Sequence, residues 1–243
     1  MSEQASEFYE RLRTAEQPPT TSAPSPGAYA EAILRAGRDA ESVLCVTLSR
    51  QFSAMYDAAA QGAALAKEQA PQLDIRVLDS KAAAMAQGFV VLEAARAAAD
   101  GAAIDDVVQR AEELIPQVQL LVVLDTLVYL ARSGRVPRLI VCASSPLQLK
   151  PIVEFQGGSY RPVTMVRTMR RATDRLYQVL ERRVQGKELH VCVQHTNVPD
   201  GAAALAERVQ ASLRPEELIV REFTQVMGVH TGPGLLGFSF YAR

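Results

Sequence analysis

Hydroxyl side chains follow an apolar run in the first half of the sequence, and they are the first candidates for chemistry. The run at 43–48 ends at Ser49, and Ser53 precedes a helix-like stretch that carries Met55 and Tyr56. Unpaired backbone N–H groups and the positive dipole end of a helix start favour a carboxylate or a phosphate. The sequence therefore predicts an anion site at this turn, with Ser53 as the cap of the helix. Because serine is a preferred cap with or without a ligand, the site needs further residues elsewhere in the chain.

The sequence carries no motif of independent catalysis. It has no GxSxG nucleophile turn and no phosphate loop, because Gly232-Pro233-Gly234 is not followed by lysine and a hydroxyl residue. Asp79-Ser80 could supply a nucleophile or a Mg²⁺ ligand, and we interpret the pair as a helix cap. The cysteines and histidines form no CxxC and no metal-ligand spacing. We therefore expect neither a metal site nor a cofactor.

The composition indicates a chain without a strong global charge. Its 26 basic and 27 acidic side chains leave a net charge of −1, so no overall field attracts nucleic acid or an anionic membrane. The apolar runs are far shorter than a membrane span, and residues 1–13 are polar, unlike a signal peptide. We expect a cytoplasmic protein without a transmembrane segment.

Helices and strands alternate in the first half of the chain. The patterns predict a proline-rich loop at 17–27, strands at 43–48 and 75–78, and helices at 7–13, 28–36, 53–69, 82–99 and 104–114. Such alternation requires parallel strands joined by helical crossovers. The fold class is therefore α/β, beginning with an α/β/α parallel-sheet domain at 1–116, and the Ser53 turn follows the first strand of that sheet.

The pattern changes after Pro116, where we place a domain boundary. Two apolar runs meet across Gly157 and Gly158, which is typical of a β-hairpin. The predicted helices are 128–135, 169–184 and 200–212, and the strands are 120–124, 149–155, 160–167, 188–195, 218–225 and 235–241. These elements predict a second domain, 117–243, of the α+β type: a mixed six-stranded sheet covered on one face.

Seven segments occur in the order and approximate spacing of one protein family. They are TSAPSP at 21–26, SRQFSAMY at 49–56, VLDS at 77–80, SGRV at 133–136, LKPI at 149–152, VRT at 166–168 and HTGPG at 230–234. In these segments, from about Glu7 to the C-terminus, the chain resembles the DegV family. The resemblance implies a bacterial two-domain protein that binds a fatty acid between its domains. Some members present the fatty-acid carboxylate to a separate fatty-acid kinase, so the resemblance implies a non-catalytic carrier rather than an enzyme.

The resemblance also implies a set of ligand-binding residues, namely Thr21, Ser22, Ser53, Arg167 and His230. Thr21 and Ser53 would donate hydrogen bonds to the carboxylate, while Arg167 and His230 would add positive charge and a titratable donor. The fatty-acid tail would lie along apolar side chains such as Met85, Phe89, Leu92 and Ile140. We expect the four main polar residues to converge on one cleft between the domains. Each also has an ordinary alternative role in a loop, a solvated basic cluster or a turn.

The sequence departs from the family pattern in two places. Family members usually begin with two further strands, the first ending in Asp-Ser-Thr, and this chain starts after both. An uncovered edge of the strand pair 43–48 and 75–78 predicts a homodimer that packs there. In addition, the turn Ser53-Ala54-Met55-Tyr56 stands where Ser-Gly-Thr-Tyr is usual. Ala54 leaves less room for a ligand to approach the backbone, and Met55 lacks the hydroxyl group of the usual threonine.

Three functional hypotheses follow. The first is a lipid-binding carrier that serves a partner kinase. The second is a family member that has lost its lipid and acts through protein contacts. The third is a small hydrolase or transferase that uses Ser53 with His230.

Overall fold

A computed structural model describes residues 3–17, 19–134 and 149–243 of the chain. In these ranges the helices are α1 (Glu3–Thr14), α2 (Pro26–Ala36), α3 (Met55–Gln69), α4 (Ala84–Ala99), α5 (Ile104–Leu114), α6 (Val128–Ser133), α7 (Met169–Val184), α8 (Pro199–Leu213) and α9 (Gln225–Thr231). The strands are β1 (Ser42–Thr47), β2 (Asp74–Asp79), β3 (Gln119–Val123), β4 (Lys150–Gln156), β5 (Ser159–Val166), β6 (Leu189–His195), β7 (Glu217–Glu222) and β8 (Leu236–Ala242).

The chain forms two compact units, and neither is continuous in sequence. The larger unit comprises Met1–Thr21, Gln119–Phe155 and Tyr160–Arg243, and the smaller comprises Ser22–Val118 and Gln156–Ser159. The N-terminal helix α1 therefore belongs with the C-terminal half of the chain. The domain boundary at Pro116 stays a prediction.

The smaller unit contains the parallel sheet that the sequence predicted. β1 and β2 pair in parallel, from Ser42 opposite Asp74 to Thr47 opposite Asp79, and helices α2 to α5 pack around them. Helices α2 and α3 cross at Gly62, where a Cβ atom would lie only 2.6 Å from the carbonyl oxygen of Pro26. Glycine at this position lets the two backbones approach and brings the buried side chains of both helices together.

The larger unit contains a mixed sheet of six strands among the described residues, in the order β5, β4, β3, β8, β6, β7. β3 pairs antiparallel with β4 and β8, β6 pairs antiparallel with β8, and β6 pairs parallel with β7. The β4–β5 turn contains Gly157 and Gly158, whose φ angles of 56° and 77° suit glycine. The predicted mixed six-stranded sheet and its glycine hairpin are confirmed.

Both faces of the central strands β3, β6 and β8 are buried, so the expected single covered face is wrong. Helices α7 and α8 pack on the face that presents Val191, Val193 and Phe238. On the alternating positions, Cys192, Gln194 and Ser239 are at most 3% exposed. The polar pair on this second face is satisfied internally, because the Ser239 hydroxyl donates to the Gln194 side-chain oxygen.

Helix α9 follows a strand that ends earlier than the sequence predicted. The prediction of strand 218–225 is wrong at its end, since β7 stops at Glu222 and α9 begins at Gln225. Helix α1 packs against α9, with Tyr9 only 1% exposed. A Cβ atom on Gly228 would lie 2.6 Å from the Tyr9 hydroxyl oxygen, so this contact requires glycine in α9. Tertiary packing therefore stabilises a helix that contains poor helix formers.

The contact between α1 and α9 yields a stability prediction. We expect Gly228→Ala to lower the free energy of unfolding by about 1–3 kcal/mol, because the added methyl group overlaps a buried ring. Gly201→Ala in α8 is the matched control, since its Cβ would have no neighbour closer than Leu236 at 3.8 Å. Urea denaturation of both variants provides the measurement. Equal effects of the two substitutions would show that α1 does not pack tightly on α9.

The end of β6 yields a pH prediction. His195 is buried, its Nδ1 accepts the Val198 N–H at 3.4 Å, and burial lowers the pKa of this histidine below its ordinary 6.5, against an opposing effect of Glu222. His195 therefore binds a proton more readily in the unfolded chain than in the folded protein. The free energy of unfolding falls as the pH drops below that ordinary value. We expect His195→Gln to reduce this loss when unfolding is measured from about pH 7.5 to about pH 5. An unchanged pH profile would contradict the assignment.

Candidate functional site

The turn after α9 is fixed by one buried residue, Thr196. Its hydroxyl donates to the Gly232 carbonyl at 2.7 Å and accepts the Leu235 N–H at 2.9 Å. Its backbone N–H donates to the Leu235 carbonyl at 3.0 Å, and its carbonyl accepts the Gly234 N–H at 2.8 Å. This network holds the end of α9, and with it His230, against the end of β6.

Two glycines in that turn are required by geometry. Gly232 and Gly234 have φ angles of 72° and 88°, a region that favours glycine. A Cβ atom on Gly232 would lie 2.2 Å from the ring of Tyr129, and one on Gly234 would lie 2.9 Å from Asp125 Cβ. The turn therefore packs its backbone directly on Tyr129 of α6.

His230 and Thr21 form a direct polar contact. The Thr21 Oγ1 lies 2.8 Å from His230 Nε2, and both residues are half-buried. When Nε2 carries no proton, it accepts a hydrogen bond from the threonine hydroxyl. When Nε2 carries a proton, the ring donates to the threonine oxygen, and the hydroxyl proton is free to point at a ligand. The structure thus brings together two of the five predicted site residues.

A cavity of about 280 Å³ borders this pair within the larger unit. Its polar and aromatic lining comes from Thr20, Thr21, Tyr129, Arg132, Ser133 and His230. Thr196, Tyr129 and Arg132 were not among the predicted site residues. For Arg132 the sequence did hold a signal, since it directly precedes the segment SGRV.

Ser53 lies in the smaller unit, in the turn after β1. Its hydroxyl accepts the Met55 N–H at 3.3 Å, but α3 begins at Met55 and Ala54 occupies the cap position without a side-chain bond. The predicted cap is therefore displaced by one residue, although Ser53 still satisfies a backbone donor at the helix start. Ala54 has a φ of −76°, so replacement of the usual glycine causes no backbone strain here.

Asp79 and Ser80 stabilise the connection between β2 and α4. They do not cap the helix, so the interpretation of this pair as a helix cap is wrong. α4 begins at Ala84 after Ala83, whereas Asp79 accepts the Lys81 N–H at 2.9 Å. Ser80 is fully buried and its hydroxyl accepts the N–H two residues on, at 3.2 Å. Lys81 and Ala84 have φ angles of 49° and 56°, so these short-range bonds support a strained loop.

The remaining predicted residues lie at the surface or outside the described ranges. Ser22 is exposed beside Thr21, and Arg167 is exposed directly after β5. Met85, Phe89 and Leu92 lie on α4 at helical spacing, with Phe89 fully buried, while Ile140 lies outside the described residues. Convergence of Thr21, Ser53, Arg167 and His230 on one cleft stays a prediction.

The other two histidines, His190 and His195, are held by contacts within the fold. His190 Nδ1 lies 3.2 Å from a Glu217 oxygen, and its ring stacks on Tyr241 with centroids 4.5 Å apart. Among the described side chains, no group of three His, Cys, Asp or Glu residues could hold a metal ion. No helix in the described ranges is both long and apolar enough to cross a membrane.

Comparison with known proteins connects these elements to one family. A sequence model of the DegV family of uncharacterised proteins matches residues 2–243. A DegV domain-containing protein of Streptomyces coelicolor is 37% identical over 229 residues, which cover 93% of this chain and 80% of the relative.

Solved structures share the fold. A DegV family protein from Thermus thermophilus is described by its fatty acid binding. Its sequence is 27% identical and its TM-score is 0.88, and the match covers 98% of this chain and 84% of that one. DegV from Bacillus subtilis, described as a fatty acid binding protein, is 28% identical with a TM-score of 0.84 and the same coverage. The resemblance seen in the sequence is confirmed: this chain belongs to the DegV family.

Proposed function

We propose that this protein binds one long-chain fatty acid between its two domains and acts as a carrier rather than an enzyme. The observation that carries the proposal is the Thr21–His230 pair, which borders a cavity in a chain whose relatives from Thermus thermophilus and Bacillus subtilis are described as fatty acid binding. This pair offers hydrogen-bond donors where a carboxylate would need them.

A buried carboxylate requires several donors at once. Removing the charge from water without compensation costs several kcal/mol, and charge-assisted hydrogen bonds offset that cost. Thr21 and Ser53 would donate through their hydroxyl groups, His230 through its imidazole, and Ser22 and Arg167 would complete the surroundings of the head group. A hydroxyl bonded to the His230 imidazole is that of Thr21, and the two groups would bind the carboxylate together.

The tail would lie along apolar side chains of α4 and its neighbours. Met85, Phe89 and Leu92 share a helical face, and the transfer of each methylene group from water to such a surface contributes roughly 0.8 kcal/mol. A polar head site with a dry tail site selects for an amphiphile with a long chain.

In the carrier role, a partner protein would perform the chemical step. We infer that the protein holds the carboxylate where a cytoplasmic fatty-acid kinase can phosphorylate it, as the family resemblance implies. The chain itself would then supply binding and orientation, with no catalytic residue, metal or cofactor of its own.

Removal of the head-group hydroxyls gives the direct test of binding. We expect Thr21→Ala and Ser53→Ala each to weaken fatty-acid binding by about 1.5–3 kcal/mol, because each removes a charge-assisted hydrogen bond. Displacement of a fluorescent fatty acid measures the affinity. Ser212→Ala, which removes an exposed hydroxyl on α8, is the matched control. Unchanged affinity in both site variants would contradict the proposed head-group site.

We also propose that two copies of the chain form a homodimer through the smaller unit. In the described residues β1 and β2 pair only with each other, and every residue of β1 before Thr47 is only half-buried. An open cavity of about 810 Å³ lies beside the starts of these strands and is bordered by Leu34, Leu73 and Ile104. Partly exposed apolar strands with free edges favour association, and a second copy supplies a complementary edge.

Sedimentation tests the dimer. We expect a stable species of two 26.4-kDa chains at low micromolar concentration, with an interface on the order of 2,000 Å² or more. Circular dichroism across the same dilution series reports whether the chain stays folded. A folded monomer throughout the series would contradict the dimer and leave the fatty-acid proposal intact.

A further inference from the structure

Helix α1 docks on the larger unit through a small buried face. Tyr9 and Leu12 are buried, at 1% and 4% exposed. A polar bond joins the helix to the turn after β6, where the Ser6 hydroxyl donates to the Asn197 side-chain oxygen at 3.2 Å. The Tyr9 hydroxyl is buried and has no hydrogen-bond partner among the described residues. Because an unsatisfied buried hydroxyl costs free energy, α1 is docked less firmly than its apolar contacts alone would give.

The turn that accepts the Ser6 hydroxyl is held by His195 and Glu222. These two residues lie opposite each other at the ends of the parallel strands β6 and β7. The Glu222 carboxylate accepts the Asn197 N–H at 3.3 Å, and His195 Nδ1 accepts the Val198 N–H at 3.4 Å. Asn197 has a φ of 56°, a left-handed conformation that needs such support even in asparagine. One carboxylate and one neutral imidazole therefore hold this turn in place.

Protonation of His195 removes one of these bonds and weakens the other. In the imidazolium both ring nitrogens carry a proton, so Nδ1 can no longer accept the Val198 N–H and the two donors face each other. The new positive charge also attracts the Glu222 carboxylate, which is the acceptor of the Asn197 N–H. Both supports of the turn are lost together, and the acceptor of the Ser6 hydroxyl moves with the turn.

His195 is the titrating group of this turn. Burial lowers its pKa, Glu222 raises it, and the positive amino terminus of the chain lowers it. Tyr9 stays neutral, because burial and the nearby Glu222 raise its pKa to about 12. The cavity of about 490 Å³ beside the turn is bordered by two positive and two negative side chains, namely Arg13, Arg170, Asp125 and Asp200. Histidine is the side chain whose charge changes between about pH 5 and pH 8, so mild acid acts on His195.

Helix α1 is connected to the Thr21–His230 pair in two ways. Only residues 15–20 separate the end of α1 from Thr21. The Tyr9 ring packs on Gly228, which precedes His230 by two residues in α9. Release of α1 would therefore loosen both members of the pair, since one follows it in the chain and the other lies on the helix that it supports.

We propose that α1 is a latch that is released when His195 takes up a proton, and that this release lowers the affinity for a fatty acid. The second part rests on the proposed carrier function. With neutral His195 the turn holds Ser6, and docked α1 keeps Thr21 and α9 in position. In mild acid the latch opens and the ligand leaves more readily. Because the two equilibria are linked, a bound fatty acid also opposes proton uptake by His195.

A fluorescent reporter on α1 tests the latch without any ligand. The chain contains no tryptophan, so Phe8→Trp gives a single reporter beside the Tyr9 ring. We expect its emission to shift reversibly to longer wavelength between about pH 7.5 and about pH 5, because the indole loses its packing when α1 leaves. His195→Gln in the same background should abolish most of the shift. His190→Gln is the matched control, since it removes another buried histidine at the opposite end of β6 and should leave the shift intact.

A second variant keeps the histidine and removes the bond that it controls. Ser6→Ala leaves Asn197 without the hydroxyl of α1, so the midpoint of the shift should move to higher pH. Circular dichroism at each pH establishes that every variant keeps its secondary structure. A reporter that shows no shift, or an equal shift after His195→Gln, would overturn the latch.

Displacement of a fluorescent fatty acid at both pH values tests the link to binding. The change in affinity is compared between the parent chain and His195→Gln, because titration of the ligand and of His230 affects both alike. We expect the affinity to fall about fivefold further in the parent chain than in the variant. An equal fall in both would overturn the link, whatever the reporter shows. A parent chain that binds no fatty acid at either pH would instead contradict the proposed function, while the fluorescence of the ligand-free protein would still decide the latch.

Discussion

The candidate site depends on one physical constraint, which is the close packing of backbone on aromatic rings in the middle of α9 and in the turn after it. At Gly228 the helix meets Tyr9 of α1, and at Gly232 the following turn meets Tyr129 of α6. Neither position has room for a side chain. Because rings on two other elements hold the middle of α9 and the turn after it, His230 lies within hydrogen-bond distance of Thr21. The polar contact is thus a consequence of packing.

The chemistry of the site follows from its mixture of donors. A fatty acid combines a charge that is costly to bury with a tail that gains free energy from burial. Hydroxyl groups and a histidine can satisfy the carboxylate without the large desolvation cost of a second fully buried charge. This arrangement suits a protein that holds a substrate and leaves the chemical step to a partner.

The sequence predicted the elements whose signals are local. Gly157 and Gly158 predicted the hairpin, and the alternation of strands and helices predicted the parallel pair and the mixed sheet. Helix α9 was missed because Val226, Gly228 and Val229 are poor helix formers, and its stability comes from Tyr9, which is more than 200 residues away in the chain. Thr196 was missed for the same reason, since its partners at 232–235 are remote in sequence. The family resemblance named Thr21 and His230, but their contact became visible only in the fold.

The central claim is that the folded chain carries a fatty acid, and mass spectrometry tests it most directly. The protein is purified gently, then denatured, and the released small molecules are identified and counted against the chain. We expect about one long-chain fatty acid for each chain, or uptake to that level after incubation with a mixture of fatty acids. A folded protein that releases no fatty acid and takes up none would contradict the account.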